Sequence, residues 1–343
     1  MGRRFLSVLI CAGFLCVSSV ASSRSLSDVF NKVDPAVVMI LTKERGYSKV
    51  KPGKQVATRG LGSGVVISKD GLILTAAHVV QVADEVEVEF LGDYRIGADV
   101  IGSTTLADAA LLQLDRVPED LVWVKLGASD KVSVGEEIFV VGAPYGVSHT
   151  LTVGHVSGKR TPKVLCDQII PIELLQTDAA INKGNSGGPM FSMDGEVIGI
   201  VSHFLSQSGG FEGLGFAVSI NTAKELLLEQ RSFWSGLEAY AVSGALAKAL
   251  NMQQEAGLLI QRVAHDSPGY YLGLRPGNVP VRIGREGLLI GGDIVLEVQG
   301  TPISTDPEKM CHIRETMAEM RPGDSIDVKV LREGQILNLS TRW

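Results

Sequence analysis

Cysteine and histidine are scarce in this chain of 343 residues, which has four cysteines and six histidines. Cys11 and Cys16 lie close to the N-terminus, and Cys166 and Cys311 are far apart, so no disulfide framework is expected. We predict that Cys166 and Cys311 are separate buried thiols, with oxidation to a disulfide as the alternative. No cluster of cysteine and histidine has the spacing of a metal site, so we expect neither a metal nor another cofactor.

Excess positive charge and nucleotide-binding loops are also missing. The formal net charge is -6, which argues against nucleic acid as the main partner. The chain has no glycine-rich loop of the kind that holds nucleotide phosphates, so a function driven by ATP is not expected. Hydrophobic residues make up 45% of the chain and charged residues 20%, which is typical of globular domains with a substantial core.

The N-terminal segment MGRRFLSVLICAGFLCVSSVASS has the features of a secretory signal. Two arginines precede an apolar run that begins at Phe5, and small residues follow, with a suitable cleavage position after Ala21. The run is short for a membrane-spanning helix. We therefore expect residues 1–21 to be removed on export, and an uncleaved membrane anchor is the alternative.

Short strands dominate the region from Val37 to Val218. Glycine, aspartate, serine and proline separate apolar or alternating runs, which include VVMIL, LGSGVVIS, EVEVEF, AALLQL, EIFVVGAP and GEVIGIVS. Such intervals are typical of an all-β barrel or sandwich, and the absence of long amphipathic helices disfavours a parallel α/β fold. The first predicted helix is NTAKELLLEQ, from Asn221 to Gln230, with Asn221 as its N-cap.

The pattern changes beyond Gln230, and we place a domain boundary between Gln230 and Gly236. The remaining residues alternate between predicted strands and helices over roughly 105 positions, which is the size of a small α+β domain. Its clearest helix starts at Asp306-Pro307 and extends to Met320, with its apolar residues on one face. The predicted fold class is therefore mainly β, with a small α+β domain at the C-terminus.

Three residues are candidates for nucleophilic catalysis. Ser186 lies in GNSGGP, which is either a tight turn or a glycine-rich loop that exposes a reactive serine. His78 in GLILTAAHVV is either a core histidine or the base that such a serine needs. Asp108 opens the apolar strand DAALLQL, as a turn residue or as a carboxylate that bonds an imidazole. Together the three supply a nucleophile, a base and an orienting carboxylate.

The order His78, Asp108 and Ser186 within one all-β region resembles the trypsin-like serine proteases. Within that group the chain resembles the HtrA family of PDZ proteases over residues 28 to 343. The motifs that carry this resemblance are GSGVVISKDGLILTAAHVV, DAALLQL, TDAAINKGNSGGPMFSMDGEVIGI and GLGFAVSIN. The resemblance implies two six-stranded β-barrels, with His78 and Asp108 in the first and Ser186 in the second, followed by a PDZ domain.

The resemblance also implies a role for each site residue. Ser186 would attack the scissile carbonyl, His78 would be the general base, and Asp108 would orient the imidazole. The backbone N–H groups of Gly184 and Ser186 would form the oxyanion hole. The segment Leu214-Gly215-Phe216 would pair with the substrate backbone and form the wall of a pocket for small or medium aliphatic side chains.

Asn185 stands where digestive proteases have an aspartate that pairs with a newly cut N-terminus. An amide cannot form that ion pair, so we expect activation by conformation rather than by propeptide cleavage. The loop from about Ser157 to Ile172 would order the oxyanion loop, and we hypothesise that Lys159, Arg160 or Lys163 senses the PDZ domain. An ordinary solvated basic loop is the alternative.

The PDZ interpretation implies a binding site for peptide C-termini. Gly257, Leu258, Leu259 and Ile260 would receive the carboxylate and add the peptide as an extra β-strand. The helix from Asp306 to Met320 would form the other wall of the groove. The insertion NVPVRIGREGLLIG, at 278–291, departs from the usual direct connection between GLRPG and the next strand.

These implications lead to one main prediction, an ATP-independent serine endopeptidase that cleaves unfolded or damaged envelope proteins in the bacterial periplasm. A homotrimer or larger assembly is expected, with N-terminal contacts near Phe30. The alternatives are a membrane-tethered protease that cuts one signalling target, and a chaperone or binding protein with secondary protease activity. The expected division is a signal at 1–21, a protease domain at 22–230, a linker at 231–236 and a PDZ domain at 237–343.

Overall fold

The computed structural model describes residues 25–147, 149–161, 172–206, 210–230, 232–284, 286–321 and 323–342. The expected signal segment lies outside these residues, as does Lys163 in the predicted sensing loop. No helix in these ranges is long and apolar enough to cross a membrane.

Six antiparallel strands close into a first barrel in the order β1-β2-β3-β6-β5-β4. They are β1 (Val37–Tyr47), β2 (Gln55–Val66), β3 (Leu72–Thr75), β4 (Glu85–Glu89), β5 (Arg95–Thr104) and β6 (Ala109–Leu114). Helix α1 (Leu26–Val33) precedes the barrel and packs half-buried Phe30, the residue named for trimer contacts, against its core. The short helix α2 (Ala77–Val80) follows β3 and carries His78.

A second closed barrel has the order β10-β11-β12-β9-β8-β7. Its strands are β7 (Glu137–Gly142), β8 (Thr150–Arg160), β9 (Leu174–Thr177), β10 (Pro189–Ser192), β11 (Val197–Phe204) and β12 (Gly215–Ser219). Phe139 and Phe191 stack with ring centroids 5.0 Å apart and are fully buried. The predicted double barrel is confirmed.

The helix after the second barrel differs from its prediction. Helix α3 (Ile220–Lys224) continues into a π-helical turn at Glu225–Glu229, and its N-cap is Ser219, whose hydroxyl accepts a hydrogen bond from Thr222 N. Asn221 was therefore wrongly predicted as the cap. Its side chain is used in tertiary contacts, because it accepts from Ser129 N and donates to Asp130.

The C-terminal region forms a small α+β domain around one sheet of order β13-β14-β17-β19-β20, with β18 beside β17. These strands are β13 (Leu237–Ser243), β14 (Ala256–Val263), β17 (Ile294–Val298), β18 (Thr301–Pro302), β19 (Ser325–Arg332) and β20 (Gln335–Arg342). The helices are α4 (Gly244–Ala249), α5 (Pro268–Tyr271) and α6 (Pro307–Glu319). Asp306 caps α6 as predicted, and the apolar face of α6 packs into the domain core.

The strand order overturns the predicted peptide-binding segment Gly257–Ile260. This segment lies in β14, which pairs with β13 along its length and with β17 through Leu258 and Leu259 on its other edge. Backbone bonds from Ile260 to Asp293 and from Gly277 to Ile260 continue that second edge. Because both edges are occupied, β14 cannot accept an added strand, and among the described residues β13 is the edge strand on this side of the sheet.

The insertion at 278–291 forms a two-stranded hairpin, β15 (Val279–Ile283) with β16 (Glu286–Ile290). Buried Gln261 holds it to the sheet, because its side-chain amide bonds both the N–H and the carbonyl of Leu289. At the base of the hairpin, the Asn278 carbonyl accepts a bond of 2.9 Å from Gly53 N of the first barrel. The insertion therefore adds a contact between the two parts of the chain.

Other polar contacts join the first barrel to the C-terminal domain. Arg262 donates to the Glu44 carboxylate at 2.7 Å, and Gln81 Nε2 donates to the Leu237 carbonyl at 3.2 Å. His265 N donates to Asp84 at 2.7 Å. Burial raises the pKa of the Glu44 carboxyl, and the neighbouring Arg262 only partly offsets this effect.

Cys311 on α6 is buried and disulfide-bonded. The expectation of a separate thiol at this position is therefore wrong. The other three cysteines, Cys11, Cys16 and Cys166, all lie outside the described residues.

Candidate active site

His78 and Asp108 meet on the surface of the first barrel. Ala77, Val79 and Val80 of α2 are buried, so the helix turns His78 outward with half of its side chain exposed. Its Nδ1 lies 2.9 Å from both carboxylate oxygens of Asp108, and its backbone N–H donates to the same carboxylate at 3.0 Å. The structure thus brings together two of the predicted catalytic residues.

The environment of Asp108 keeps its carboxyl ionised. Burial alone would raise its pKa, but hydrogen bonds from His78 and Ser202 and the attraction of the His78 imidazole outweigh burial, so the pKa lies below its ordinary value. An ionised carboxylate only accepts hydrogen bonds, so His78 Nδ1 must carry the proton. The His78 Nε2 is then the atom that can accept a proton from a nucleophile.

Close packing against the backbone explains the glycines around Ser186. Gly184 has φ +105°, and a Cβ there would lie 2.1 Å from the Ala143 carbonyl oxygen. Gly187 has φ +84°, and a Cβ there would lie 2.3 Å from the Ser63 carbonyl oxygen. Both positions need a residue without a side chain. The Ser186 loop can therefore pack against the second barrel at Gly184 and against the first barrel at Gly187.

The amides of Gly184 and Ser186 are available to an incoming oxyanion. Neither N–H has an acceptor among the described residues. The Lys183 carbonyl accepts a bond of 2.8 Å from Tyr145 N, and a trans peptide points its N–H opposite to its carbonyl. The Gly184 N–H is therefore directed away from Tyr145.

Ser186 is turned away from His78 in this structure. Its hydroxyl donates to the Ser202 carbonyl at 3.2 Å, and among the hydrogen bonds of the described residues none joins Ser186 to His78. The backbone of Ser186 is fixed, because its carbonyl accepts from Ser63 N at 2.8 Å. A rotation about the Cα–Cβ bond of Ser186 separates this arrangement from one that faces the base.

Two serines that the sequence analysis did not single out organise the site. Ser63 is fully buried, and its hydroxyl accepts from Ala143 N at 2.9 Å and donates to the Gly184 carbonyl at 2.7 Å. Ser202 donates its hydroxyl to Asp108 and its carbonyl accepts from Ser186. The GSG motif around Ser63 was visible in the sequence, but the hydroxyl of Ser63 bonds the carbonyl of Gly184, which is 121 residues away in the chain.

Gly215 and Phe216 lack the free edge that the predicted pairing with substrate would need. Gly215 pairs with Phe204 on one side and Thr177 on the other, and Phe216 is likewise paired on both sides. Pairing of these two residues with substrate backbone is therefore excluded, and Leu214 lies beyond the paired register, with its carbonyl accepting from Leu205 N. Their role as a pocket wall stays a prediction, and the wall is apolar, since the Ile181 side chain packs directly on Gly215.

The residues predicted to control the oxyanion loop have these surroundings. Asn185 is buried, and its amide nitrogen lies 3.4 Å from the Ala180 carbonyl. Lys159 donates to the Ser129 carbonyl at 2.8 Å and lies 3.8 Å from Glu173, so it is held within the second barrel. Arg160 donates to the carbonyl of Lys159. A contact of this loop with the PDZ domain stays a prediction.

Comparison with known proteins gives a consistent result. The model of the trypsin-like peptidase domain family matches residues 62–200, a range that includes all three candidate catalytic residues. The chain is similar to a solved structure titled "HtrA-type protease AlgW with decapeptide", with 28% identity, a TM-score of 0.52 and coverage of 93% of this chain and 98% of the other. The same protease with a tripeptide gives 29% identity and the same TM-score, over 93% of this chain and 96% of the other.

Curated relatives extend the comparison. The chain is 36% identical to a probable periplasmic serine endoprotease, DegP-like, from Pseudomonas fulva, over 82% of this chain and 55% of the relative. It is 31% identical to the DegP-like protein of a Marinomonas species, over 97% of this chain and 74% of the relative. The chain spans little more than half the length of the first relatives it matches. Their names confirm, at the level of the family, the expected periplasmic location. The chain belongs to the HtrA family of DegP-like, trypsin-like serine proteases.

Proposed function

We propose that this chain is an ATP-independent serine endopeptidase that cleaves unfolded or damaged proteins of the periplasm. The observation that carries the proposal is the hydrogen-bonded pair of His78 and Asp108 beside Ser186, whose loop is packed closely at Gly184 and Gly187. Two backbone amides of the Ser186 loop, free of acceptors among the described residues, supply the second requirement for acyl transfer.

The mechanism follows from the atoms that remain available. Ser186 turns its hydroxyl from the Ser202 carbonyl to His78 Nε2, which takes the proton as Oγ attacks the scissile carbonyl. Asp108 stabilises the resulting imidazolium through its bonds to His78 Nδ1. The amides of Gly184 and Ser186 bind the oxyanion, and the imidazolium then protonates the leaving amine.

Substrate backbone would pair with the end of β11. The pairing of β10 with β11 ends at Ile200, and backbone bonds of Gly187 and Gly188 continue this edge to Val201. Beyond it, Ser202, His203 and Phe204 have no strand partner on that edge among the described residues. This open edge lies beside Ser186, whose hydroxyl reaches the Ser202 carbonyl. An extended, unfolded polypeptide can add to such an edge as a further strand.

Digestion of reduced, fluorescently labelled casein by the full chain tests the proposal. Wild type should release peptides without ATP, and Ser186→Ala should release none above background. Equal digestion by both forms would show that Ser186 is not the nucleophile. If neither form digests casein but both suppress its aggregation, the chaperone alternative replaces the enzyme.

We further propose that peptide C-termini bind the C-terminal domain along β13. A cavity of about 820 Å³ lies between Leu237 and Ala239 of β13 and Ile313 and Met317 of α6, and it extends to His78. Its lining is mainly apolar, and among the described residues no strand pairs with the outer edge of β13, where the Leu237 carbonyl accepts from Gln81. Both features suit a peptide that adds one strand and buries its apolar side chains.

Fluorescence anisotropy with a labelled peptide that ends in apolar residues tests this site. Ile313→Glu should abolish binding, and Glu315→Gln on the exposed side of the same helix should retain it. Thermal melting of both variants checks their folding. Undiminished binding by Ile313→Glu in a folded protein would exclude the groove.

A further inference from the structure

His203 is a second histidine beside the catalytic pair. It lies on β11 with its side chain exposed, and its ring stacks on Phe216 with centroids 5.2 Å apart. Its Nδ1 lies 2.9 Å from the hydroxyl of Ser202. That hydroxyl also bonds Asp108, so a continuous chain of hydrogen bonds joins His203, Ser202, Asp108 and His78.

Counting donors fixes the direction of this chain. A serine hydroxyl has one hydrogen, and Ser202 gives it to Asp108, which as a carboxylate can only accept. The bond between Ser202 and His203 must therefore be donated by His203 Nδ1–H. The imidazole of His203 thus holds the oxygen of Ser202 in place and favours the orientation in which the hydroxyl donates to Asp108.

We propose that His203 is a positioning residue for peptide-bond hydrolysis, which orients Ser202 and through it the carboxylate that holds His78. The inference rests on the proposed protease function. Ser202 links both halves of the machinery, since its hydroxyl bonds Asp108 and its carbonyl bonds Ser186. The side chain of His203 needs no contact with the substrate to affect the chemical step, whatever its backbone pairs with.

Two substitutions separate the hydrogen bond from the shape of the ring. His203→Phe keeps the stacking on Phe216 and removes the donor. His203→Asn keeps an N–H donor close to the position of Nδ1. Loss of one hydrogen bond should lower kcat on labelled casein about threefold to tenfold in the phenylalanine variant, with little change in KM. The asparagine variant should retain most of the wild-type kcat.

A double-mutant cycle tests whether His203 acts through Ser202. Ser202→Ala removes the intermediate hydroxyl, so His203→Phe should cause no further loss of kcat in that background. Additive losses would show that His203 acts by another route. Thermal melting of each variant serves as the folding control.

The remaining outcomes would overturn the inference. A His203→Phe variant with wild-type kcat excludes the positioning role. Equal losses in the phenylalanine and asparagine variants would show that ring shape matters and the donor does not. A raised KM with unchanged kcat would make His203 a substrate contact instead. If wild type itself fails to cleave casein, the proposed function fails, and this result is distinct from all of the others.

Discussion

Gly184→Ala is the substitution that most directly tests the oxyanion loop. The backbone of Gly184 is left-handed, and an alanine there is strained by about 1–2 kcal/mol. Its Cβ would also lie 2.1 Å from the Ala143 carbonyl oxygen, well inside the ~3.5 Å of a relaxed contact. The loop must therefore shift by about 1 Å, a displacement that can cost about a hundredfold in rate.

Gly135→Ala is the matched control. Gly135 belongs to the same barrel, just before β7, and has φ +95°, but nothing lies within 4 Å of an added Cβ. It carries the backbone strain without the clash. We expect Gly135→Ala to lose about 1–2 kcal/mol of stability in urea unfolding, and Gly184→Ala to lose more, because its clash adds to the same strain. Only Gly184→Ala should lose kcat on casein, by about 10²–10³-fold. A fully active Gly184→Ala, or equal losses of activity in both variants, would refute the assignment of this amide to the oxyanion hole.

Three further predictions concern stability. Asp34 is buried and lies 2.8 Å from His149 Nδ1, so Asp34→Asn should destabilise by about 1–3 kcal/mol, and a second change, His149→Ala, should add little in urea unfolding. Folding lowers the pKa of the Asp108 carboxyl below its ordinary value of 3.8. The ionised carboxylate therefore stabilises the fold above pH 3.8, and this stabilisation is lost as the pH falls through the lowered pKa. When the pH is lowered from about 6 to about 3, wild type should lose more free energy of unfolding than Asp108→Asn. Dithiothreitol should lower the melting temperature of wild type, as expected for loss of about 2–4 kcal/mol, and Cys311→Ser should not respond to it.

The barrels and the candidate catalytic residues could be predicted because their signals are local. Glycine- and serine-punctuated apolar runs imply short strands, and His78, Asp108 and Ser186 each sit in a short motif of the resembling family. The cap of α6 was predictable for the same reason, since Asp306 and Pro307 are adjacent.

The N-cap of α3 was a local error, and the other errors concern pairing between distant segments. Gly257–Ile260 and Leu214–Phe216 were recognised as strands, but sequence periodicity does not show whether a strand lies at an edge or inside a sheet. The hydroxyl of Ser63 bridges two loops through contacts of 80 and 121 residues in sequence separation. The disulfide of Cys311 likewise depends on tertiary structure, which cysteine spacing alone did not reveal.

Gln81 follows α2, the helix of His78, and its side chain bonds the Leu237 carbonyl at the start of β13. A peptide that displaced this bond would change the energy of the segment that carries the base, so occupancy of the two sites would be linked. Suppose that the C-terminal peptide changes the affinity of Ser186 for a peptide aldehyde by some factor. Thermodynamic reciprocity then requires that the bound aldehyde change the affinity for the C-terminal peptide by the same factor. A ligand at the C-terminal domain would therefore change the affinity of the Ser186 site, and a ligand at Ser186 would change the affinity of the C-terminal domain.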